Sequence, residues 1–182
     1  LRELERIKES LLRLKGNDSN EANEERTKLA QSLEYISERF NPRELNLLIP
    51  MIQDFYPQIR GDSDEADQAI RGLVQSLANI SRRIDPLKLE LLIPVIQGLY
   101  PQIKGDSDLA AEARRNLAWS LPDISIRIDP SKLESLIPMI QDFYPQINGD
   151  SDTADQARSA LAWSLGNISE RINPRELTLL IP

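Results

Sequence analysis

Along the chain, two kinds of stretch alternate, and in each the apolar residues have the spacing of a helix. One kind runs from Leu45 to Ile59 and the other from Ala66 to Ile84, and in both the apolar side chains recur three and four residues apart. This spacing places them on one face of an α-helix. Each stretch therefore predicts an amphipathic helix, and the two in succession predict a helical hairpin.

The hairpin pattern repeats every 44 residues. Each first helix opens on an Asn-Pro or Asp-Pro pair, whose prolines are Pro42, Pro86, Pro130 and Pro174. Asn or Asp as N-cap, followed by Pro at the first helical position, is a strong helix start. A fixed period of this size is typical of a repeat array, in which each unit buries its apolar face against its neighbours. We expect a single array made of units 1–40, 41–84, 85–128 and 129–172 and a partial unit, 173–182.

Prolines within the first helix of each hairpin predict that this helix is interrupted. Pro50, Pro94 and Pro138 each lie inside an apolar run. Proline lacks a backbone N–H and its ring clashes with the preceding turn, so we expect a kink or a split near each one. Residues 1–15 have a similar apolar face without these prolines, which predicts an unbroken first helix. Tyrosines near the ends of the later first helices are interpreted as packing residues, at Tyr56, Tyr100 and Tyr144.

A Gly-Asp-Ser-Asp turn precedes the second helix of three units, beginning at Gly61, Gly105 and Gly149. Glycine suits the left-handed position after a helix, and Ser or Asp suits an N-cap. Two carboxylates with a serine between them are also oxygen ligands of the kind that Ca²⁺ prefers, but the tetrad lacks the further ligands of a calcium loop. A turn with a helix cap explains every residue, so no metal site is expected.

The amino-acid composition excludes the common catalytic arrangements that need cysteine or histidine. The 182 residues include no cysteine and no histidine, which excludes disulfides, thiolate metal sites and every catalytic arrangement that depends on histidine. The acidic residues repeat with the units, so no carboxylate pair is singled out for hydrolysis. We therefore expect a protein that is not an enzyme and has no cofactor.

The charge and the hydropathy of the chain disfavour two classes of partner, nucleic acids and membranes. A net charge of −7 disfavours nucleic acid, which needs a basic surface. No apolar run approaches the ~18 residues of a membrane span, so no membrane partner is expected. The absence of cysteine and of a visible signal peptide favours the cytoplasm or another reducing intracellular compartment.

The repeated motifs resemble those of the HEAT/armadillo family of helical repeats. The resemblance covers essentially the whole chain and is carried by the strings LLIPMIQ, GDSD and QARSALAWSLGNIS. An Asp followed six residues later by an Arg, as in Asp152 with Arg158 and Asp108 with Arg114, is similar to the Asp/Arg ladder of HEAT repeats. The second unit departs from it, with Ile70 in the Arg position. The resemblance implies an all-α, right-handed α-solenoid that acts as a protein-binding scaffold.

The string LAWSLGNIS resembles the third helix of an armadillo repeat, in which a Trp and an Asn four residues later line a peptide-binding groove. Trp163 and Asn167 match that pair, whereas Trp119 is followed by Asp123. The helical wheel leaves two interpretations of the tryptophans open: they pad the gap between adjacent second helices, or they form an aromatic ladder on the concave face. The predicted partner-binding residues are Trp119, Trp163, Asp123, Asn167, Gln75, Asn79 and Arg115.

The predicted function is a non-enzymatic scaffold for a protein or an extended peptide. A Lys- or Arg-containing peptide is preferred, because the chain is acidic and indoles bind cations. One alternative is a purely structural array or spacer within a larger protein. Another is a HEAT-like auxiliary protein for a small ligand or cofactor.

The partial unit carries apolar residues that no second helix follows, at Leu177, Leu180 and Ile181. Repeat arrays normally end in polar capping units. We therefore expect the natural array to be longer, and this stretch to self-associate when it is left uncapped.

Overall fold

The computed structural model describes residues 2–60 and 63–172, and these ranges are helical without a β-strand. Their α-helices are α1 (Arg2–Leu14), α2 (Asn20–Arg39), α3 (Pro42–Leu45), α4 (Leu48–Phe55), α5 (Asp64–Arg83), α6 (Leu92–Leu99), α7 (Asp108–Arg127), α8 (Leu136–Phe143) and α9 (Asp152–Arg171). Short 3₁₀ helices span Tyr56–Gln58, Pro86–Leu91, Tyr100–Gln102, Pro130–Ser135 and Tyr144–Gln146.

The helices form pairs that recur along the chain, as the sequence predicts. A first helix, whole or divided, is followed in each unit by a long second helix, namely α2, α5, α7 or α9. Consecutive second helices pack side by side, α2 on α5, α5 on α7 and α7 on α9. One apolar cluster runs from Leu4 to Ile172 through all four described units. No unit therefore has a core of its own, which is the packing expected of stacked helical hairpins.

Serine caps begin all four second helices. The Oγ atoms of Ser19, Ser63, Ser107 and Ser151 each accept a hydrogen bond from the N–H of the alanine three residues later. Gly105 and Gly149 have φ angles of 68° and 86°, in the left-handed region that favours glycine. The predicted turn and cap are confirmed at these positions, while Gly61 lies outside the described residues.

The predicted interruption of the later first helices is confirmed, and it falls just before each proline. In the second unit α3 ends at Leu45 and α4 begins at Leu48, so Pro50 is the third residue of a new helix. Pro94 and Pro138 are likewise third in α6 and α8. A first turn needs no intrahelical N–H donor, which is why proline is tolerated there. By contrast, α1 is one uninterrupted helix.

The predicted ladder pairs, Asp108 with Arg114 and Asp152 with Arg158, are wrong. Both aspartates are exposed first residues of a helix, and neither forms an ion pair within the described ranges. The arginines reach back to carbonyl groups of the preceding loop instead. The Arg114 Nη2 atom donates to the Ile103 and Gly105 carbonyls at 3.1 and 2.6 Å, and burial lowers the pKa of this guanidinium. Arg114 thus closes its own hairpin by binding backbone, which needs no acidic partner.

A second set of arginines joins each second helix to the one before it. Arg127, the last residue of α7, donates from Nη1 to the Ser81 carbonyl at 2.6 Å and from Nη2 to the Ile84 carbonyl, both at the end of α5. Carbonyls at a helix C-terminus lack intrahelical partners and favour a cation. The same link is made by Arg83 to the end of α2 and by Arg171 to the end of α7.

The predicted partial unit 173–182 lies outside the described residues. The expectation of self-association through Leu177, Leu180 and Ile181 lies there as well and stays a prediction.

Candidate partner-binding surface

The candidate site lies on the surface of the second-helix layer, around Trp119 of α7 and Trp163 of α9. Residues 44 apart occupy the same place on successive second helices, and these helices pack directly on one another. Because of this register, side chains from α5, α7 and α9 meet in one patch. We refer to this patch, centred on Trp119 and Trp163, as the tryptophan patch.

The two indoles contact each other edge to face. Their ring centroids are 6.0 Å apart and their planes are inclined by 85°. Such a T-shaped arrangement is favoured by the aromatic quadrupole. Trp119 is half-buried and packs against the core, whereas Trp163 remains 52% exposed. Trp119 therefore fills the space between helices, as one interpretation predicts, while Trp163 presents the open aromatic surface that the other requires.

A small cavity of about 280 Å³ opens beside Trp119. Its wall combines one aromatic side chain with amide and guanidinium groups, from Gln75, Ala78, Arg82, Arg115, Asn116, Trp119 and Gln156. Sites for small organic ligands are usually about 300–1,000 Å³. This cavity is of a size for one inserted side chain rather than for a whole cofactor.

A polar network closes one side of the cavity. The Asn116 Nδ2 atom donates to Gln75 Oε1 at 3.2 Å, and the Asn116 Oδ1 atom accepts from Nε and Nη2 of Arg115 at 3.3 and 3.2 Å. The Glu112 carboxylate lies 3.8 Å from Arg115 and 3.7 Å from Arg71. Gln75 and Arg115 are thus held in position, and Arg115 does not act as an isolated cation.

Glu34 of α2 adds a further carboxylate beside this network. Burial raises the pKa of Glu34; the neighbouring Arg71 lowers it, and Glu38 and Glu112 raise it further. Burial is the largest of these influences, and the attraction of Arg71 is second to it, ahead of the repulsion from either Glu38 or Glu112. This part of the surface accepts an additional positive charge favourably.

Asp123 is paired with an arginine of the preceding helix. The Arg82 Nε atom donates to Asp123 Oδ2 at 3.2 Å, and both side chains are substantially exposed. An exposed pair of this kind contributes about 0.2–1 kcal/mol. A cationic ligand can displace Arg82 from Asp123 at small cost.

Four of the seven predicted binding residues do not line the cavity, namely Trp163, Asp123, Asn79 and Asn167. The Asn79 Nδ2 atom donates to Ser37 Oγ at 3.0 Å, and Asn167 Nδ2 donates to Ser125 Oγ at 3.1 Å. Both bonds join neighbouring second helices. These asparagines use a donor to hold the array together, and they leave the cavity wall to Gln75, Trp119 and Arg115.

The cavity is also lined by four residues outside the predicted set, Ala78, Arg82, Asn116 and Gln156. Asn116 could have been identified from the sequence, because the same position in the neighbouring units holds the small residues Gly72 and Ala160. A polar residue where other units have small ones marks a local departure from the repeated core.

The described residues contain no group of three or more acidic side chains that could hold a metal ion. Within the same part of the chain, no helix combines the length and the apolar character needed to cross a membrane. Comparison of the chain with protein-family models, curated proteins and solved structures gave no match. The resemblance to HEAT/armadillo repeats accordingly stays a prediction from the motifs.

Proposed function

We propose that the chain is a right-handed α-solenoid of HEAT/armadillo-like repeats that binds an extended segment of a partner protein on its concave face, without catalysis. The observation that carries the proposal is the half-exposed, edge-to-face pair of Trp119 and Trp163 beside a cavity sized for a side chain. Tryptophan is enriched among residues that dominate binding energy at interfaces. The net charge of −7 supports a protein partner rather than nucleic acid.

The bound segment lies across α5, α7 and α9 in this proposal. The exposed Trp163 indole covers the aliphatic stem of a Lys or Arg side chain, whose charge is attracted to the ring face. A neighbouring side chain enters the cavity beside Trp119. Asp123 then exchanges Arg82 for the cation of the ligand, and Glu112 and Glu34 add to the favourable potential.

The proposal is tested by selecting peptides from a displayed random library on the intact chain. Selected peptides are then measured by calorimetry on the wild type, on Trp163→Ala and on Tyr144→Ala. Tyr144 is a matched control, because it is a 53% exposed aromatic side chain at the end of a first helix. We expect Trp163→Ala to weaken binding by about 1–2 kcal/mol or more, as for an interface anchor, and Tyr144→Ala to leave it unchanged. Equal affinity for all three proteins would contradict the proposal.

A purely structural array is the second candidate. It is favoured by the bonds of Asn79 to Ser37 and of Asn167 to Ser125, which link neighbouring helices with residues that the motif assigns to peptide binding. Under this alternative no selected peptide depends on Trp119 or Trp163. Substituting Trp119 would then lower only the stability of the array.

A further inference from the structure

A groove of about 760 Å³ lies between α1 and α4, on the first-helix side of the array. Its apolar wall includes Leu4, Leu11, Leu12, Leu47, Pro50 and Met51. Leu12 is 65% exposed, which is unusual for an apolar side chain beside other apolar groups. The tryptophan patch shares no residue with this groove.

The corresponding junctions between later first helices are closed by tyrosine. Tyr56, which follows α4, lies against Gly98 of α6 so closely that a Cβ on that glycine would overlap the tyrosine ring and hydroxyl. Tyr100, which follows α6, stacks on Phe143 of α8 with ring centroids 5.4 Å apart. Both tyrosines are partly buried against the core. Each one therefore covers the first helix of the next unit.

The junction between α1 and α4, the first of the array, has no tyrosine of its own at this position. Leu12 stands 44 residues before Tyr56 and leaves the junction open. Asp54, which lines the groove, stands where the later units have Gly98 and Asp142. Because a Cβ at this position overlaps a ring placed like that of Tyr56, the groove corresponds to the junction of Asp142, where Tyr100 stacks on Phe143. Met51 on the groove wall is only partly buried, whereas its counterparts Val95 and Met139 are 0% and 1% exposed.

We propose that this groove binds a tyrosine side chain presented by a partner polypeptide. The chain itself shows which group fits, because Tyr100 fills the equivalent junction between α6 and α8, where Asp142 stands in the place of Asp54. The volume exceeds that of one ring, so residues flanking the tyrosine are accommodated as well.

Polar groups of the groove match a phenol. The Asn46 Oδ1 and Gln58 Oε1 atoms have no accessible surface and no hydrogen-bond partner, while the side chains that carry them line the groove. Rotation of either amide brings its unpaired oxygen to the groove. A phenolic hydroxyl supplies the donor that such acceptors need. The Arg26 Nε atom is also unpaired, but so is Nε of Arg114 at the same repeat position in the third unit, so Arg26 gives no information about the ligand.

Charges around the groove have mixed sign. Lys8 and Lys15 lie on its wall together with Glu5 and Asp54, and Arg60 is paired with Asp18 at 3.4 Å. Such a rim complements a neutral tyrosine and offers no concentrated charge for an ionic group.

The two methionines of the chain give a direct test, because Met51 lies on the groove wall and Met139 is buried at the equivalent position two units later. The intact chain is labelled with ¹³C at the methionine methyl groups and titrated with the blocked tetrapeptide Phe-Tyr-Pro-Gln, the sequence around Tyr56. We expect a saturable shift of the Met51 resonance and none of Met139. The matched peptide Phe-Leu-Pro-Gln should bind at least tenfold more weakly.

Leu12→Tyr restores the missing ring within the chain and should weaken peptide binding at least tenfold. Leu87→Tyr adds the same ring at a 77% exposed leucine that does not line the groove, and it should retain binding within about threefold. Trp163→Ala should retain binding as well, which separates this site from the tryptophan patch. Circular dichroism checks that the helical content of each variant is unchanged. The proposal is overturned if Met51 does not shift, if the leucine peptide binds equally well, or if Leu12→Tyr binds like the wild type. Equal affinity for free p-cresol would overturn the assignment to a polypeptide.

Discussion

Each second helix ends on an arginine, and substitution of Arg127 tests whether these arginines stabilise the contact between neighbouring helices or only their own helix. Replacing Arg127 by Met keeps most of the aliphatic length and removes the guanidinium that binds the Ser81 and Ile84 carbonyls of α5. Arg39 is a matched control, because it holds the same position at the end of α2. No described second helix precedes α2, and the Arg39 guanidinium lies 4.5 Å from the centre of the Tyr35 ring instead.

The expected magnitudes follow from these contacts. Hydrogen bonds to a charged group contribute about 1.5–3 kcal/mol, and the half-buried site of Arg127 allows water to replace part of that. We expect Arg127→Met to lower the free energy of unfolding by about 2 kcal/mol. Arg39→Met loses a helix-terminus charge and an exposed cation–π contact, each worth about 0.5–1 kcal/mol or less, and should cost about 1 kcal/mol or less.

Equilibrium unfolding in urea, followed by circular dichroism at constant salt, measures both variants against the wild type. A midpoint shift for Arg127→Met that is about twice that for Arg39→Met supports a link between helices. Equal shifts would refute this reasoning and would assign both arginines to the dipole of their own helix.

Two further predictions use single substitutions. Glu34→Gln should stabilise the fold at pH 7, because the raised pKa of Glu34 means that its charged form is disfavoured in the folded state. The gain in stability should shrink as the pH falls through the raised folded pKa and vanish below the ordinary glutamate pKa of about 4.3. A gain that persists at low pH would contradict this prediction. Gly98→Ala should destabilise by about 1 kcal/mol, because its Cβ displaces Tyr56. In contrast, Gly166→Ala in α9 meets no atom within 4 Å and should stabilise by roughly 0.5–1 kcal/mol; thermal unfolding of both variants checks the opposite signs.

The helical hairpins could be predicted because their causes are local. Spacing of three and four residues, an Asn-Pro start and a serine cap each act within a few residues, and all are present in the structure. The interruption near Pro50 also has a local cause, the proline itself, but its exact position could not be predicted. The helix restarts before the proline, so that the ring falls in a first turn.

Several tertiary contacts could not be predicted from the sequence, because their partners are backbone atoms or distant side chains. The sequence places Arg114 six residues after an aspartate, yet the loop carbonyls of Ile103 and Gly105 are better placed to receive it. Arg82 joins the tryptophan patch only through the packing of α5 on α7. The 44-residue period places Leu12 and Tyr56 at equivalent positions, but only the packing of α1 against α4 shows that the first junction stays open.

Binding of a partner segment at the tryptophan patch is the central claim, and intrinsic fluorescence tests it most directly. Trp119 and Trp163 are the only tryptophans in the chain, so the emission reports on this patch alone. Titration with a selected Lys- or Arg-containing peptide should change the emission saturably, with the same dissociation constant as calorimetry, and Trp163→Ala should raise that constant tenfold or more. A peptide that binds by calorimetry while leaving the emission unchanged, and that binds Trp163→Ala equally well, would contradict the account.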